Sequence, residues 1–183
     1  MKNSIIYPGF ILMIVLFAGC GEDSSSTETN LAENIKVSDC GGFESGVVTK
    51  LPSEDGEEIM DCSQLIVWEY DDSTEIIKIS IKNIELNCAG IGKVQIRKTE
   101  TNYEYIISED LGGGDAGCSC LFDFSAELAG IISESLDFKV SHSVKYTETE
   151  TTPVWDGTID LSQKSGEITI KERLGDQCSE LLN

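Results

Sequence analysis

Apolar and polar residues alternate with a period of two along most of this chain, the spacing of β-strands with one face buried. The segment Leu65-Ile66-Val67-Trp68-Glu69-Tyr70 is rich in β-formers and stops at the turn cluster Asp71-Asp72-Ser73. Ile77, Ile79 and Ile81 then alternate with Lys78, Ser80 and Lys82. The apolar parity next shifts to Ile84, Leu86 and Cys88. A one-residue shift inside a continuous strand predicts a bulge or bend near Lys82-Asn83. Val94, Ile96 and Lys98 lead to a turn at Thr99-Glu100-Thr101-Asn102, and Tyr103, Tyr105 and Ile107 return as the second arm of a hairpin. Leu111 to Gly117 reads as a loop. Cys118, Cys120, Phe122, Phe124, Ala126 and Leu128 form one unbroken apolar face, expected to be the central strand of the core.

The stretch from Ala129 to Glu134 reads as a loop or a short helical turn. Leu136, Phe138, Val140, His142, Val144 and Tyr146 make a second long face. Thr147 to Thr152 is polar on both sides, and Pro153 limits pairing there. Trp155, Gly157, Ile159 and Leu161 alternate next, Ser162 to Gly166 turns the chain, and Ile168, Ile170 and Glu172 close the set. No long segment carries a helical stripe. Many short strands at regular spacing predict an all-β domain, an antiparallel sandwich or barrel-like fold.

The N-terminus breaks this pattern. Lys2 supplies a positive start, Ile11 to Phe17 an apolar run, and Ala18-Gly19 small residues directly before Cys20. That order is a secretory signal, and the run is shorter than the roughly 20 residues a spanning helix needs. Leu16-Phe17-Ala18-Gly19-Cys20 resembles the lipobox of bacterial lipoproteins, with Phe17 where leucine is usual. The resemblance implies that residues 1–19 are removed and that Cys20 becomes a lipidated N-terminus anchored in a membrane. It also implies placement in the bacterial cell envelope. Gly21 after the cysteine, rather than an acid, favours the outer membrane over the inner one. The residues that follow are mostly Ser, Thr, Glu, Asp and Asn, a composition that cannot bury enough surface to fold. The expected organisation is therefore a signal at 1–19, a lipidated acidic tether at 20–36 and a single β-rich domain at 37–183.

The formal net charge is −20. It argues against nucleic acid and against adsorption to anionic lipid, and permits cationic partners and divalent metals.

Beyond Cys20 stand Cys40, Cys62, Cys88, Cys118, Cys120 and Cys178, an even set in an exported chain and so disulfide candidates. Cys118 and Cys120 share a strand face, and a bond between them would close a very small ring. Each is expected to reach a different partner: Cys88 takes one, Cys178 the other, and Cys40 pairs with Cys62. The segment Cys118-Ser119-Cys120-Leu121-Phe122-Asp123 is also similar to a loose group of small envelope lipoproteins of unknown role. They carry a C-x-C, an aromatic and an Asp on a core strand, with a further Cys upstream, here Cys88. The similarity covers roughly residues 62–128 and implies a β-rich fold without an activity.

Candidate chemistry is sparse. As thiolates, Cys118 and Cys120 would suit a soft metal, although disulfides are the expected use. Asp110 and Asp115 flank Gly112-Gly113-Gly114 and could offer calcium oxygen ligands, as could Asp71-Asp72, but the spacing of a calcium loop is absent. The glycine run lacks the Lys-Ser/Thr of a phosphate loop. His142 is the sole histidine, so any histidine triad would have to use it, yet it lies between Val140 and Val144 on an apolar face. Gly41 to Gly46 has the wrong spacing for a serine nucleophile elbow. Trp68 and Trp155 could stack on a sugar, but both lie in strand patterns where core packing is usual. No cofactor is expected. The composition and signal lead to a non-enzymatic envelope binding or structural module, with a binder of a small ligand or metal ion as the alternative.

Overall fold

The parity shift at Lys82-Asn83 is a β-bulge. In the computed structural model, which describes residues 29–42, 49–52, 58–100, 102–111, 117–144 and 151–181, Ile81 stands opposite Phe124 and Ile84 opposite Phe122. Two residues, Lys82 and Asn83, thus face one, Asp123. Asn83 takes the left-handed conformation, φ 58°, which asparagine tolerates better than most residues. Its N–H donates to Asp123 Oδ1 at 2.9 Å and its Nδ2 to the Ser63 carbonyl at 2.8 Å. The bulge therefore keeps Ile77, Ile79, Ile81, Ile84 and Leu86 all in the core, each at most 5% exposed. Each such side chain contributes about 1.5–3 kcal/mol by leaving water.

The strands are β1 (Glu33–Val37), β2 (Thr49–Pro52), β3 (Glu58–Asp61), β4 (Gln64–Asp71), β5 (Ile76–Asn87), β6 (Ile91–Lys98), β7 (Tyr103–Asp110), β8 (Ser119–Ala129), β9 (Ser135–Val144), β10 (Thr152–Asp160) and β11 (Ser165–Lys171). A 3-10 turn at Leu161–Gln163 joins β10 to β11, and one short helix, α1 (Asp176–Leu181), follows. One sheet has the order β1-β8-β5-β4-β11 and the second β10-β9-β7-β6, while β2 and β3 form a separate hairpin. The two larger sheets pack through one apolar cluster that takes Ile66 and Trp68 from β4, Phe122 and Phe124 from β8, Tyr105 and Ile107 from β7, and Phe138 and Val140 from β9. Gly166, paired with Trp68, leaves the room that the indole fills. The fold is the sandwich expected, with one departure from antiparallel pairing: β7 and β9 run parallel. Between them the chain crosses into the other sheet as β8, so β9 returns in the direction of β7. Central position in the five-stranded sheet falls to β5; β8 lies beside it, buried on both faces from Cys120 to Ala126.

The first and last described segments of the chain pack around β8. On the outer face Leu121 packs with Cys62, Cys178 and Met60, where α1 closes over the sheet. Along its edge Ser38 N–H donates to the Asp123 carbonyl at 2.9 Å, and Asp123 N–H donates to Ser38 Oγ at 2.8 Å. Upstream, Leu31 N–H donates to the Ile96 carbonyl at 2.8 Å, and Asn30 Oδ1 accepts from Ile96 N–H at 2.8 Å. Residues 30–36, which the composition assigns to the tether, are thus part of the folded body: they bridge β6 of one sheet to β8 of the other.

The cysteine pairs are Cys40–Cys120, Cys62–Cys178 and Cys88–Cys118, with Cα separations of 5.5, 5.7 and 5.7 Å. Cys118 and Cys120 do reach different partners, and Cys88 takes Cys118. The expected Cys40–Cys62 pair and the expected link of Cys178 to the C-x-C are overturned. Cys40 extends the β1–β8 pairing, with Gly41 N–H on the Leu121 carbonyl at 2.8 Å, so Cys120 is its neighbour. Cys62 heads β4 where the C-terminal segment returns, its N–H on the Arg173 carbonyl at 3.1 Å, which brings Cys178 to it.

Candidate functional site

Three turns converge at one end of the sandwich: Asp71 to Ile76, Gly130 to Glu134, and Leu161 to Lys164. Short polar side chains set two of them. Asp71 accepts the Ser73 N–H at 2.9 Å, and Asp160 accepts the Ser162 N–H at 3.0 Å, each mimicking a backbone turn. Hydrogen bonds from Ser73 hold the Asp71 carboxyl below the usual range, and those from Ser162 do the same for Asp160. Lys164 ends the 3-10 turn in the left-handed conformation, φ 63°. That conformation swings its side chain across the tip, where Nζ stands 5.3 Å from the centre of the Tyr70 ring and 2.8 Å from Asp72 Oδ2. The Lys164 contact also holds the Asp72 carboxyl below its ordinary value. Tyr70 is fixed in turn, its hydroxyl donating to the Ile131 carbonyl at 2.6 Å.

Tyr70 and Lys164 form a shared wall between two open clefts of about 470 Å³ each. Glu69, Lys78 and Glu127 border the first. Glu75, Glu134 and Ile132 border the second, with Ile132 80% exposed. The tip thus offers an aromatic face, an apolar side chain and a rim of carboxylates. A surface of that kind attracts cations by ring quadrupole and charge together.

Of the residues singled out by sequence, only Asp71 and Asp72 lie here. Cys20 and Asp115 fall outside the described residues, as does Gly112-Gly113-Gly114. Asp110 is bonded to Lys93 Nζ at 3.0 Å. Both sulfurs of the C-x-C are consumed in separate disulfides. Among the described residues, no three His, Cys, Asp or Glu side chains group where a metal ion could sit. His142 stands toward the opposite end, paired in register with Ile107 and Thr152, and its Nε2 is buried with no hydrogen-bond partner. Burial lowers its pKa, opposed by the charge of Glu109. Trp68 is buried in the core, and Trp155 is half-buried on β10, in the other sheet.

The sequence reading missed two features. One is Lys164, noted only as part of a turn. The other is Glu104, which is buried on the outward face of the four-stranded sheet. It lies in register between Arg97 on β6 and Lys139 on β9. Its carboxylate meets the Arg97 guanidinium at 2.7 Å, Lys139 Nζ at 3.3 Å and Ser141 Oγ at 2.6 Å. Burial opposes its ionisation, but the bonds from Ser141, Arg97 and Lys139 prevail and hold its pKa below the usual value. Glu104→Ala is expected to cost about 2–4 kcal/mol in urea unfolding, because two cations lose their shared counter-charge. A carboxylate with a lowered native pKa stabilises fully above its unfolded value, near pH 4.3, and progressively less as pH falls through the native one. The gap between wild type and Glu104→Ala should therefore narrow in acid, as unfolding curves across that pH range would reveal.

The chain matches no protein-family model, no curated protein and no solved structure.

Proposed function

We propose that this chain is a lipid-anchored, non-enzymatic binding module of the bacterial cell envelope, and that the tip bearing Tyr70 and Lys164 receives a cationic ligand. Ala18-Gly19-Cys20 supports the anchor, and Gly21 favours the outer membrane. The observation that carries the binding reading is the seat of Lys164. An ammonium group already lies between an aromatic ring and a carboxylate, with open clefts on both sides. The molecule thus carries an internal occupant of the chemistry its ligand would have. A binding rather than catalytic role agrees with a tip whose tyrosine hydroxyl and lysine are both engaged, and with the sole histidine lying far along the sandwich.

The test is calorimetric titration of the full mature chain with spermidine as probe. Wild type is expected to bind weakly, with affinity falling as salt rises. Lys164→Ala should bind about ten-fold more tightly, since it removes a competing internal cation worth roughly a kcal/mol over an aromatic ring. Tyr70→Ala should lose binding, and Asp176→Asn on α1 should leave it unchanged. Equal, weak heats in all four proteins would mean diffuse attraction by net charge and would defeat the reading.

A further inference from the structure

The disulfides differ in what surrounds their sulfurs. Cys62 and Cys178 are 1% and 0% exposed. In the second bridge Cys40 is exposed, but Cys120 is 7% exposed and packs in the main apolar cluster. Cys88 and Cys118 are both exposed. They stand just past the last register pair of β5 and β8, Asn87 opposite Ser119, at the end of the sandwich away from Tyr70.

The backbone around Cys88 and Cys118 is held without their sulfurs. The β5–β8 ladder runs from Ile76 opposite Ala129 to Asn87 opposite Ser119, and beyond it Cys88 N–H donates to the Cys118 carbonyl at 3.2 Å. The turn that follows β5 is fixed by Asn87. Its Oδ1 accepts the Ala89 N–H at 2.9 Å, its carbonyl accepts the Gly90 N–H at 2.9 Å, and its own N–H donates to the Glu109 carboxylate. Opening the bridge would therefore leave both thiols side by side.

Thiol–disulfide exchange needs a thiolate to reach one sulfur and the other sulfur to leave as a thiolate. At Cys62–Cys178 neither sulfur can be reached without local opening. Attack at Cys40 would expel Cys120 into an apolar setting, where a thiolate is disfavoured. At Cys88–Cys118, attack on either sulfur expels a thiolate into water.

We propose that Cys88–Cys118 is a reversible thiol-exchange site, reduced by an external dithiol while the fold and the other two bridges persist. One thiolate of the dithiol bonds to Cys88 or Cys118; the S–S bond breaks, and the other cysteine leaves as a thiolate and takes a proton. The second thiol of the dithiol then displaces the first cysteine, which is protonated in turn, and closes the dithiol's own disulfide. Two electrons and two protons have passed to the protein, and the dithiol is oxidised. A disulfide oxidant reverses the sequence, because the ladder and the turn keep the two thiols paired.

The experiment treats the full mature chain carrying Cys20→Ser with dithiothreitol in the absence of denaturant. Samples are quenched in acid and alkylated, peptide mass mapping locates the label, and circular dichroism follows the fold. Cys88 and Cys118 should be labelled at least about a hundred-fold faster than any other cysteine, since a buried sulfur reacts only from an opened molecule. The spectrum should not change, and oxidised glutathione should restore Cys88–Cys118 without scrambled pairs. Cys88→Ala/Cys118→Ala should lose the fast phase and keep both remaining bridges. First label at Cys40, Cys62, Cys120 or Cys178, or all bridges opening together as the spectrum collapses, would overturn the proposal. So would a reduced pair that fails to re-form, or a fast phase that survives in the double variant.

Discussion

A mature chain carrying Cys20→Ser, exported behind an ordinary cleavable signal, is expected to appear wholly in the aqueous fraction, while the native protein stays with the membrane. The expectation follows from chain arithmetic. Each methylene buried in a bilayer contributes about 0.8 kcal/mol, and a single acyl chain holds a protein only marginally. A lipidated cysteine with several chains exceeds that by far. Nothing else at the N-terminus would replace it: on the proposed processing the apolar run before Cys20 would be removed with the signal, and the residues after it are acidic and polar. Fractionation with an alkaline wash, followed by blotting, gives the answer. Mass spectrometry of the native N-terminal peptide should find Cys20 bearing a diacylglycerol thioether. A serine variant that still sediments with membranes, or a native peptide that keeps the initiator methionine, would refute the anchor.

The second large effect is expected from Cys62→Ala/Cys178→Ala. This bridge spans 116 residues and both sulfurs are buried, at 1% and 0% exposure. Opening it frees the C-terminal segment in the unfolded chain and leaves α1 tethered through Gly175 N–H on the Met60 carbonyl, the Asp61–Leu174 bridge and the bonds of Arg173 to Cys62, Ser63 and Glu85. The other two disulfides shorten the effective loop, so the loss should be about 4 kcal/mol. That is a large part of the roughly 5–15 kcal/mol by which domains of this size are stable. The Cys88–Cys118 bridge closes a loop of only 30 residues at an exposed site, so Cys88→Ala/Cys118→Ala should cost less. Urea midpoints of the two double variants, compared with the parent, test the ranking. An unshifted midpoint for the Cys62/Cys178 variant would show that the bridge does not stabilise the fold.

Where the sequence was legible, it was so because a period admits one reading. The bulge at Lys82-Asn83 could be located because only an extra residue moves Ile84 and Leu86 back to the core face. The placement of β10 as an edge was foreshadowed by Pro153, which cannot donate to a second neighbour. Disulfide choice was not legible in the same way. Alternation says which face a cysteine takes, but Cys40 and Cys178 find their partners through sheet order and the return of the C-terminus, and both are long-range. The N-terminal bridge escaped notice because residues 30–36 show no alternation; they are held by hydrogen bonds to β6 and β8 and by the partial burial of just Leu31 and Ala32 against the core. The tip was only half visible. Asp71 and Asp72 announce a turn, but the approach of Lys164 to Tyr70 depends on a left-handed residue at the end of a crossover between sheets.

If the body is held by its N-terminus, as proposed, the bridge from β6 to β8 has a mechanical meaning. Tension drawn along the tether falls first on Asn30 and Leu31, then on the three register pairs that hold β1 against β8. These peel one after another, and each released residue lengthens the stalk by about 3.3 Å. Unravelling halts at Cys40, whose covalent link to Cys120 passes the load to β8, which β5 still holds. The molecule would thus carry about ten residues, or some 30 Å, of recoverable slack between the proposed anchor and a locked core.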